Sequence, residues 1–308
     1  MSPKVDRRSE LERTGGRNTE SELERTGGRK LLVLGAAGML GHRVVEAARA
    51  EGHDVAALDR AALDITNEEA VRARMAAERP GAVINCAAWT DVDGAQERVH
   101  QALEVNADAA GHVARAAAEQ GARVVHVSTD YVFDGSKGAP WLESDPVGPL
   151  QAYGESKLGG EYAVAAGNPD HAVVRSAWLF GAGGPNFVDT MLRLGSERDE
   201  VAVVTDQVGS PTWTGHLAPA LVTLAARSSA TGTFHVAGGG ACSWHALCVE
   251  VFCLAGVDCT VTETISAAFP RPAPRPAYSV LDTERADAPR LPPWQEGLAA
   301  HLKERVVA

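Results

Sequence analysis

Tyr153 and Lys157 stand four residues apart in the run Tyr-Gly-Glu-Ser-Lys, a spacing that puts both side chains on one face of a helix. A phenol alone holds its proton with a pKa near ~10 and is a poor acid at neutral pH. A neighbouring ammonium favours the phenolate, so Lys157 is expected to pull the Tyr153 pKa down and allow proton exchange with a carbonyl or alcohol oxygen. Upstream, Ser128-Thr129-Asp130-Tyr131 closes an apolar run and offers hydroxyls that can hydrogen-bond the reacting oxygen while Tyr153 protonates it. Further upstream, Gly35-Ala-Ala-Gly38-Met-Leu-Gly41 has the G-x-x-G-x-x-G form of a turn that lets backbone approach a pyrophosphate at a helix N-terminus. Asp59, 24 residues after Gly35, suits a ribose hydroxyl of NAD, while the adjacent Arg60 suits the 2′-phosphate of NADP. The choice between the two cofactors stays open.

These groups must be held by regular elements, and the apolar pattern supplies them. Strand-like runs occur at Leu31–Leu34, Asp54–Leu58, Ala82–Asn85, Arg123–Val127 and Ala172–Arg175. Helix-like stretches separate them at Met39–Ala50, Asn67–Glu78, Ala95–Gln120 and Gln151–Ala166. Strand–helix alternation of this kind predicts an α/β chain with a Rossmann-type, doubly wound parallel sheet. Ligands of such sheets bind at the carboxyl ends of the strands, which is where Ser128–Tyr131 falls. Residues 30–180 read as the dinucleotide-binding domain, and 181–308, rich in Gly/Pro loops, as a mainly substrate-binding part interleaved with it. Residues 1–29 contain Ser-Glu-Leu-Glu-Arg-Thr-Gly-Gly-Arg twice, at 9–17 and 21–29, without a hydrophobic face, and read as a disordered leader.

The chain has 308 residues, 45% of them hydrophobic and 22% charged, as in an ordinary globular protein. Residues 1–30 carry eight Lys/Arg and six Asp/Glu, so the rest holds about −13 of a total formal charge of −11. No basic stripe is available for a nucleic-acid backbone. No apolar run approaches the ~20 residues of a membrane span, the start of the chain does not resemble a signal peptide, and a cytoplasmic location is expected. Cys86, Cys242, Cys248, Cys253 and Cys259 are odd in number and read as reduced thiols. His245 with Cys248, Cys253 and Cys259 fits no metal-ligand spacing; Ser243–Ala255 reads as a capped apolar helix, and no metal site is expected.

The order of glycine turn, Ser/Thr and Y-x-x-x-K resembles the extended short-chain dehydrogenase/reductases. The finer text comprises C-A-A-W-T-D-V-D-G-A-Q at 86–96, V-N-A-D at 105–108 and S-T-D-Y-V-F-D-G at 128–135. It continues with Y-G-E-S-K-L-G-G-E at 153–161, R-S-A-W-L-F-G at 175–181, D-Q-V-G-S-P-T at 206–212 and R-P-A-Y-S-V-L-D at 275–282. Together these resemble the dTDP-4-dehydrorhamnose reductase family over nearly all of 30–305. The resemblance implies an NADPH- or NADH-dependent reduction of the C4 ketone of a dTDP-4-keto-6-deoxyhexose, with Tyr153 as proton donor and Lys157 on the nicotinamide ribose. It implies that Thr129, Asp130 and Tyr131 hold the sugar near C4 and that Trp178 packs on it. For the cofactor it implies the turn residues Gly35, Ala37, Gly38, Met39 and Gly41, then Asp59 and Arg60 at the ribose, Asp64 and Ile65 at the adenine, and Ala88, Trp89, Thr90 and Val127 along the groove. Asn106 falls where such enzymes order a proton relay, and serves equally as a helix-packing amide. Some family members use Mg²⁺ at a dimer contact, but no ligand set here matches one, and monomer and homodimer both remain open.

Arg175, Arg275 and Tyr278 suit a dTDP pyrophosphate and thymine, although Arg275 stands in the loop R-P-A-P-R-P, which reads equally as a rigid solvated linker. The product implied most simply is dTDP-L-rhamnose, with a related secondary-metabolite product such as dTDP-dihydrostreptose carrying the same motifs. Two rivals are a non-catalytic cofactor-binding regulatory subunit and a nucleotide-sugar epimerase. Retention of Thr129, Tyr153 and Lys157 speaks against the first, and the 206–212 and 275–282 segments against the second.

Overall fold

The computed structural model describes residues 28–227 and 230–307, so the expected leader lies almost wholly outside the described residues. Six strands form one parallel sheet: β1 (Lys30–Leu34), β2 (Asp54–Leu58), β3 (Ala82–Asn85), β4 (Arg123–Thr129), β5 (His171–Ser176) and β10 (Gly232–His235). Their spatial order is β10-β5-β4-β3-β1-β2, all neighbours parallel. The order reverses between β1 and β3, which opens a crevice beyond their carboxyl ends.

Strand β1 shows why the sheet is sandwiched. Leu31 and Val33 point to one face and pack with Val44 and Ala48 of α1 (Gly41–Ala50) and Leu217 and Leu221 of α8 (Thr214–Ala226). Leu32 and Leu34 point to the other face, against Val71 and Met75 of α2 (Glu68–Glu78) and Val113 and Ala117 of α5 (Ala109–Glu119). A continuous apolar run therefore serves two cores at once. Each fully buried Leu or Val contributes roughly 1.5–3 kcal/mol of transfer free energy.

The stretch expected as one helix, Ala95–Gln120, is instead broken. It consists of α3 (Val92–Glu97), α4 (Val99–Leu103), a π-helical segment at Glu104–Asp108 and α5. The π turn inserts an extra residue and turns Asn106 inward, where it is buried. Helix α6 (Ala152–Gly167) carries Tyr153 and Lys157, and Gln151 caps its start by accepting from the Gly154 amide. A Cβ at Gly160 would lie 2.1 Å from the Asn106 carbonyl oxygen, so only glycine allows α6 to rest on the π segment.

Beyond β6 (Leu179–Phe180) the chain builds a smaller part from α7 (Phe187–Glu197), β7 (Glu200–Val204), β8 (Val208–Gly209), β9 (Thr212–Trp213), β11 (Cys242–Ser243), α9 (Trp244–Ala255), β12 (Thr260–Thr264) and α10 (Trp294–Val307). Here β7 pairs with β12, β8 with β11 and β6 with β9, in three two-stranded sheets. Val188, Met191, Val201, Val203, Leu247, Val251, Phe252 and Leu298 form its core. Ser243 caps α9 as expected; Cys248 lies in that core while Cys253 is exposed. Strand β10 and helix α8 come from this half of the sequence, yet complete the main sheet and its cover.

Candidate active site

A cleft of about 910 Å³ lies beyond the carboxyl ends of the parallel strands, between the sheet and the smaller part. Its floor begins at the turn after β1. Gly35 has φ +72° and approaches the chain after β3 so closely that a Cβ would sit 2.7 Å from the Ala87 amide nitrogen. Gly38, Met39 and Gly41 follow along the cleft to the N-terminus of α1, which favours an anion. Asp59, Arg60, Asp64 and Ile65 line the far end after β2. Asp59 accepts from the Ala62 amide at 2.8 Å. The Asp64 carboxyl is held below its ordinary range by hydrogen bonds from Thr66. Arg60 is exposed and forms no hydrogen bond or ion pair among the described residues.

Ala88, Trp89 and Thr90 form one side. Asn106 holds this segment from behind: its Oδ1 accepts from the Trp89 amide at 2.8 Å and its Nδ2 donates to the Trp89 carbonyl at 3.0 Å. The same Nδ2 lies 2.9 Å from Ser156 Oγ, which donates to the Tyr153 carbonyl at 2.8 Å. Asn106 is buried behind the cleft and does not line it, in the manner of the packing amide that was one of its two expected roles. It fixes the Trp89 segment to the helix that carries Tyr153.

Thr129, Asp130, Tyr131, Tyr153 and Lys157 meet at the centre. Thr129 Oγ1 donates to Asp130 Oδ1 at 3.0 Å and accepts from the Tyr131 amide at 3.2 Å, while its hydroxyl also meets that of Tyr153. Tyr131 and Tyr153 pack edge to face with centroids 6.0 Å apart. The expected depression of the Tyr153 pKa does not occur. Burial, reinforced by the negative charge of Asp130, pushes the phenol up to about 12. The physical reason is visible at Lys157, whose Nζ directs a hydrogen bond to the Val127 carbonyl at 2.7 Å and exerts no downward pull on the phenol. Burial lowers Lys157 to about 8, against the pull of Glu161 and Cys86. Asp130 is raised to about 6 by burial, partly offset by hydrogen bonds from Ser279 and Thr129.

Trp178 lines the opposite wall, with φ +48° and its ring stacked on Trp244 at 3.5 Å and 2°. A non-glycine residue in the left-handed region at a cleft marks a strained, over-determined wall. Trp244 was not recognised in the sequence, and nothing local signals it: it opens α9, 66 residues beyond its stacking partner. Ser176, at the end of β5, was also missed, although the strand-end rule that selected Ser128–Tyr131 applies to it. Its buried Oγ lines the cleft without a hydrogen-bond partner; Asp130 Oδ2 likewise lacks a well-formed hydrogen bond. Buried polar atoms left open on a cleft surface fit a polar ligand.

Three further residues suited to a dTDP pyrophosphate and thymine lie outside the lining of the cleft. Arg175 is locked in the interior, its Nε and Nη2 donating to Glu161 at 2.9 and 2.6 Å, with Ser128 Oγ donating to the same carboxylate at 2.6 Å. Arg275 does not line the cleft: with Arg271 it grips Asp93 of α3, at 2.8 and 3.4 Å, which ties the proline-rich loop down. Tyr278 lines a separate, smaller cavity. Among the described residues no cluster of three or more His, Cys, Asp or Glu is placed to hold a metal ion, and no helix is long and apolar enough to cross a membrane.

A parallel switch-point cleft with a glycine turn at one end and Thr, Tyr and Lys at its centre defines a dinucleotide-binding oxidoreductase of the extended short-chain class. The chain belongs to the dTDP-4-dehydrorhamnose reductase family: the family described as RmlD substrate binding domain matches residues 29–307. A relative named dTDP-4-dehydrorhamnose reductase from Streptomyces griseus is 46% identical over 275 residues, covering 87% of this chain and 90% of its own. One from Streptomyces antibioticus, named probable dTDP-4,6-dihydroxy-2-methyloxan-3-one 4-ketoreductase, is 42% identical over 271 residues, 87% of this chain and 92% of its own. The crystal structure of dTDP-4-dehydrorhamnose reductase from Bacillus anthracis in complex with NADP superimposes with a TM-score of 0.87 at 36% identity, covering 90% of this chain and 99% of that one.

Proposed function

We propose that this protein reduces the C4 ketone of a dTDP-linked 4-keto-6-deoxyhexose, with NADPH as the reductant. The observation that carries the reading is the convergence of Thr129, Tyr153 and Lys157 on one cleft that begins at the Gly35–Gly41 turn. The named substrates of relatives at 42–46% identity support the dTDP-sugar. The turn fits the pyrophosphate, and Ser176 and Val127 border the reacting end. The unpaired Arg60 guanidinium supports a 2′-phosphate, hence NADPH over NADH.

The bound nicotinamide supplies hydride to C4. Every other part of the chemistry falls to side chains. A phenol held at about 12 keeps its proton until an alkoxide, a far stronger base, develops beside it. Thr129 orients the Tyr153 hydroxyl through their shared hydrogen bond. Lys157 stands one helical turn away to stabilise the phenolate once it forms. The aromatic wall of Trp178 and Trp244 offers a flat apolar face to the deoxysugar and excludes water from it.

The Streptomyces antibioticus relative supports a second reading, a 4-ketoreductase of a modified deoxysugar, in which the same residues act on a different ring. Mixing the full chain with NADPH or NADH and a panel of dTDP-4-keto sugars decides between them. Cofactor oxidation confined to one sugar names the substrate. No oxidation of either cofactor with any sugar refutes the enzyme.

A further inference from the structure

Behind the cleft, a buried polar chain runs from the sheet to Lys157. Asn85 on β3 and His126 on β4 are register partners on neighbouring parallel strands, and both are 1% exposed. Asn85 Nδ2 lies 3.2 Å from His126 Nδ1, and His126 Nε2 lies 3.4 Å from Lys157 Nζ. Gly160 keeps the space for this ring: a Cβ there would come within 3.4 Å of His126 Nε2.

Donor accounting fixes where the protons sit. Asn85 Oδ1 accepts from the Ala87 amide at 3.1 Å, so the NH₂ group of Asn85 is the one that faces His126. Nδ1 must then accept, which leaves the proton of a neutral imidazole on Nε2. That N–H is aimed at Lys157. An ammonium has only donors and meets it poorly, whereas an amine offers a lone pair to it and still donates to the Val127 carbonyl. A second proton on His126 is disfavoured by its burial and by Lys157 itself.

We propose that Asn85 and His126 form a tautomer-setting pair that stabilises the amine form of Lys157, so that its ammonium gives up a proton readily instead of staying permanently charged. His126 is thereby a positioning residue for proton return to Tyr153. The proposal rests on the reading of Tyr153 and Lys157 as the acid–base pair. When the Tyr153 proton passes to the alkoxide, the phenolate takes one from the Lys157 ammonium. The resulting amine accepts from His126 Nε2–H until solvent recharges it, so one solvent proton is consumed per ketone reduced.

Other ionisable groups also act on Lys157: Glu161 on its own helix and Cys86 after β3. Glu161 is already neutralised by Arg175 on β5 and hydrogen-bonded by Ser128 on β4, and burial pushes the Cys86 thiol up to about 12, so it is uncharged. Asp130, on the turn after β4, acts on Tyr153. Burial is the main influence that lowers Lys157, and His126 is the neighbouring group whose proton placement then favours the amine.

The test uses the ligand-free full chain. Side-chain ¹⁵N shifts of His126 at neutral pH should report the neutral Nε2–H tautomer. The ¹³Cε resonance of Lys157, assigned by its loss in Lys157→Met, should titrate with a midpoint near 8. In His126→Gln, whose carbonyl can turn to the ammonium, that midpoint should rise by about one pH unit. The alkaline limb of kcat/KM should rise with it. An Nδ1–H or doubly protonated His126 in the wild type overturns the proposal, whether or not the variant folds. So does an unmoved Lys157 midpoint in a His126→Gln protein that keeps the wild-type amide spectrum. Both resonances are read without substrate, so failure of the reductase reading shows separately, as absence of cofactor oxidation by the wild type.

Discussion

The wall built by the sheet and α6 is polar and extensively bonded to itself: Asn106, Ser128, Ser156, Lys157, Glu161 and Arg175 are all buried and hydrogen-bonded within it, while Ser176 Oγ stays open to the cleft. The facing wall, built by the smaller part, presents a Trp178–Trp244 stack braced by Phe187, whose centroid lies 4.5 Å from that of Trp244. The first wall holds reacting atoms in place, because moving any one member leaves a buried donor or charge unpaired. The second wall contributes shape and apolar area, which tolerate change more readily. On the proposed function, chemistry falls to the first wall and substrate choice to the second.

Four substitutions test that division. Tyr153→Phe should lower turnover by roughly 10²–10⁴-fold while the Kd for NADPH changes little, measured by steady-state kinetics beside cofactor titration. Equal losses in turnover and cofactor affinity would show that Tyr153 holds the cofactor and not the proton. Arg175→Ala strips the partner from a buried carboxylate and should cost about 3–5 kcal/mol of stability, read as a fall in Tm. A raised KM with an unchanged Tm would return Arg175 to the role of a phosphate ligand.

Asp130→Asn should act in the opposite sense on stability. A folded-state pKa of about 6, above the ordinary aspartate value of 3.8, means that the folded protein retains this proton after the unfolded chain has lost it. Stability from this group is therefore full below pH ~4, declines as pH rises to ~6, and stays reduced above that. The amide should raise Tm at pH 7–8, by up to about 2–3 kcal/mol in stability, and leave it nearly unchanged near pH 4, while activity falls. A uniform shift at all pH values would show that charge is not the cause. Trp178→Ala should raise KM for the sugar nucleotide by about tenfold, with little change in NADPH affinity. A loss confined to NADPH affinity would place the aromatic wall at the cofactor.

Legibility in the sequence followed the same divide. The parallel sheet was readable because Leu31–Leu34 and its counterparts are short apolar runs separated by amphipathic helices. Thr129, Tyr153 and Lys157 stood out because the proposed chemistry demands those residue types at those spacings, and the structure brings them to one cleft. The break in Ala95–Gln120 was not, since the alanine-rich text runs on through Val-Asn-Ala-Asp without a glycine or proline to mark the π turn. Arg175 was misread because a guanidinium reads as a phosphate ligand until Glu161 is seen across from it on α6. The downward shift expected for Tyr153 assumed an ammonium aimed at the phenol, and the structure turns that ammonium to Val127. Trp244 needed a tertiary contact that no local pattern encodes.

The most direct test of the central claim follows one atom. Incubated with NADPH carrying deuterium at the transferable C4 position of its nicotinamide and with a dTDP-4-keto-6-deoxyhexose, the protein should yield a dTDP-6-deoxysugar with deuterium at C4 of the sugar. The account predicts one deuterium per cofactor oxidised, and loss of that transfer in Tyr153→Phe. Oxidation without deuterium at the sugar C4, or undiminished transfer by the variant, would contradict it.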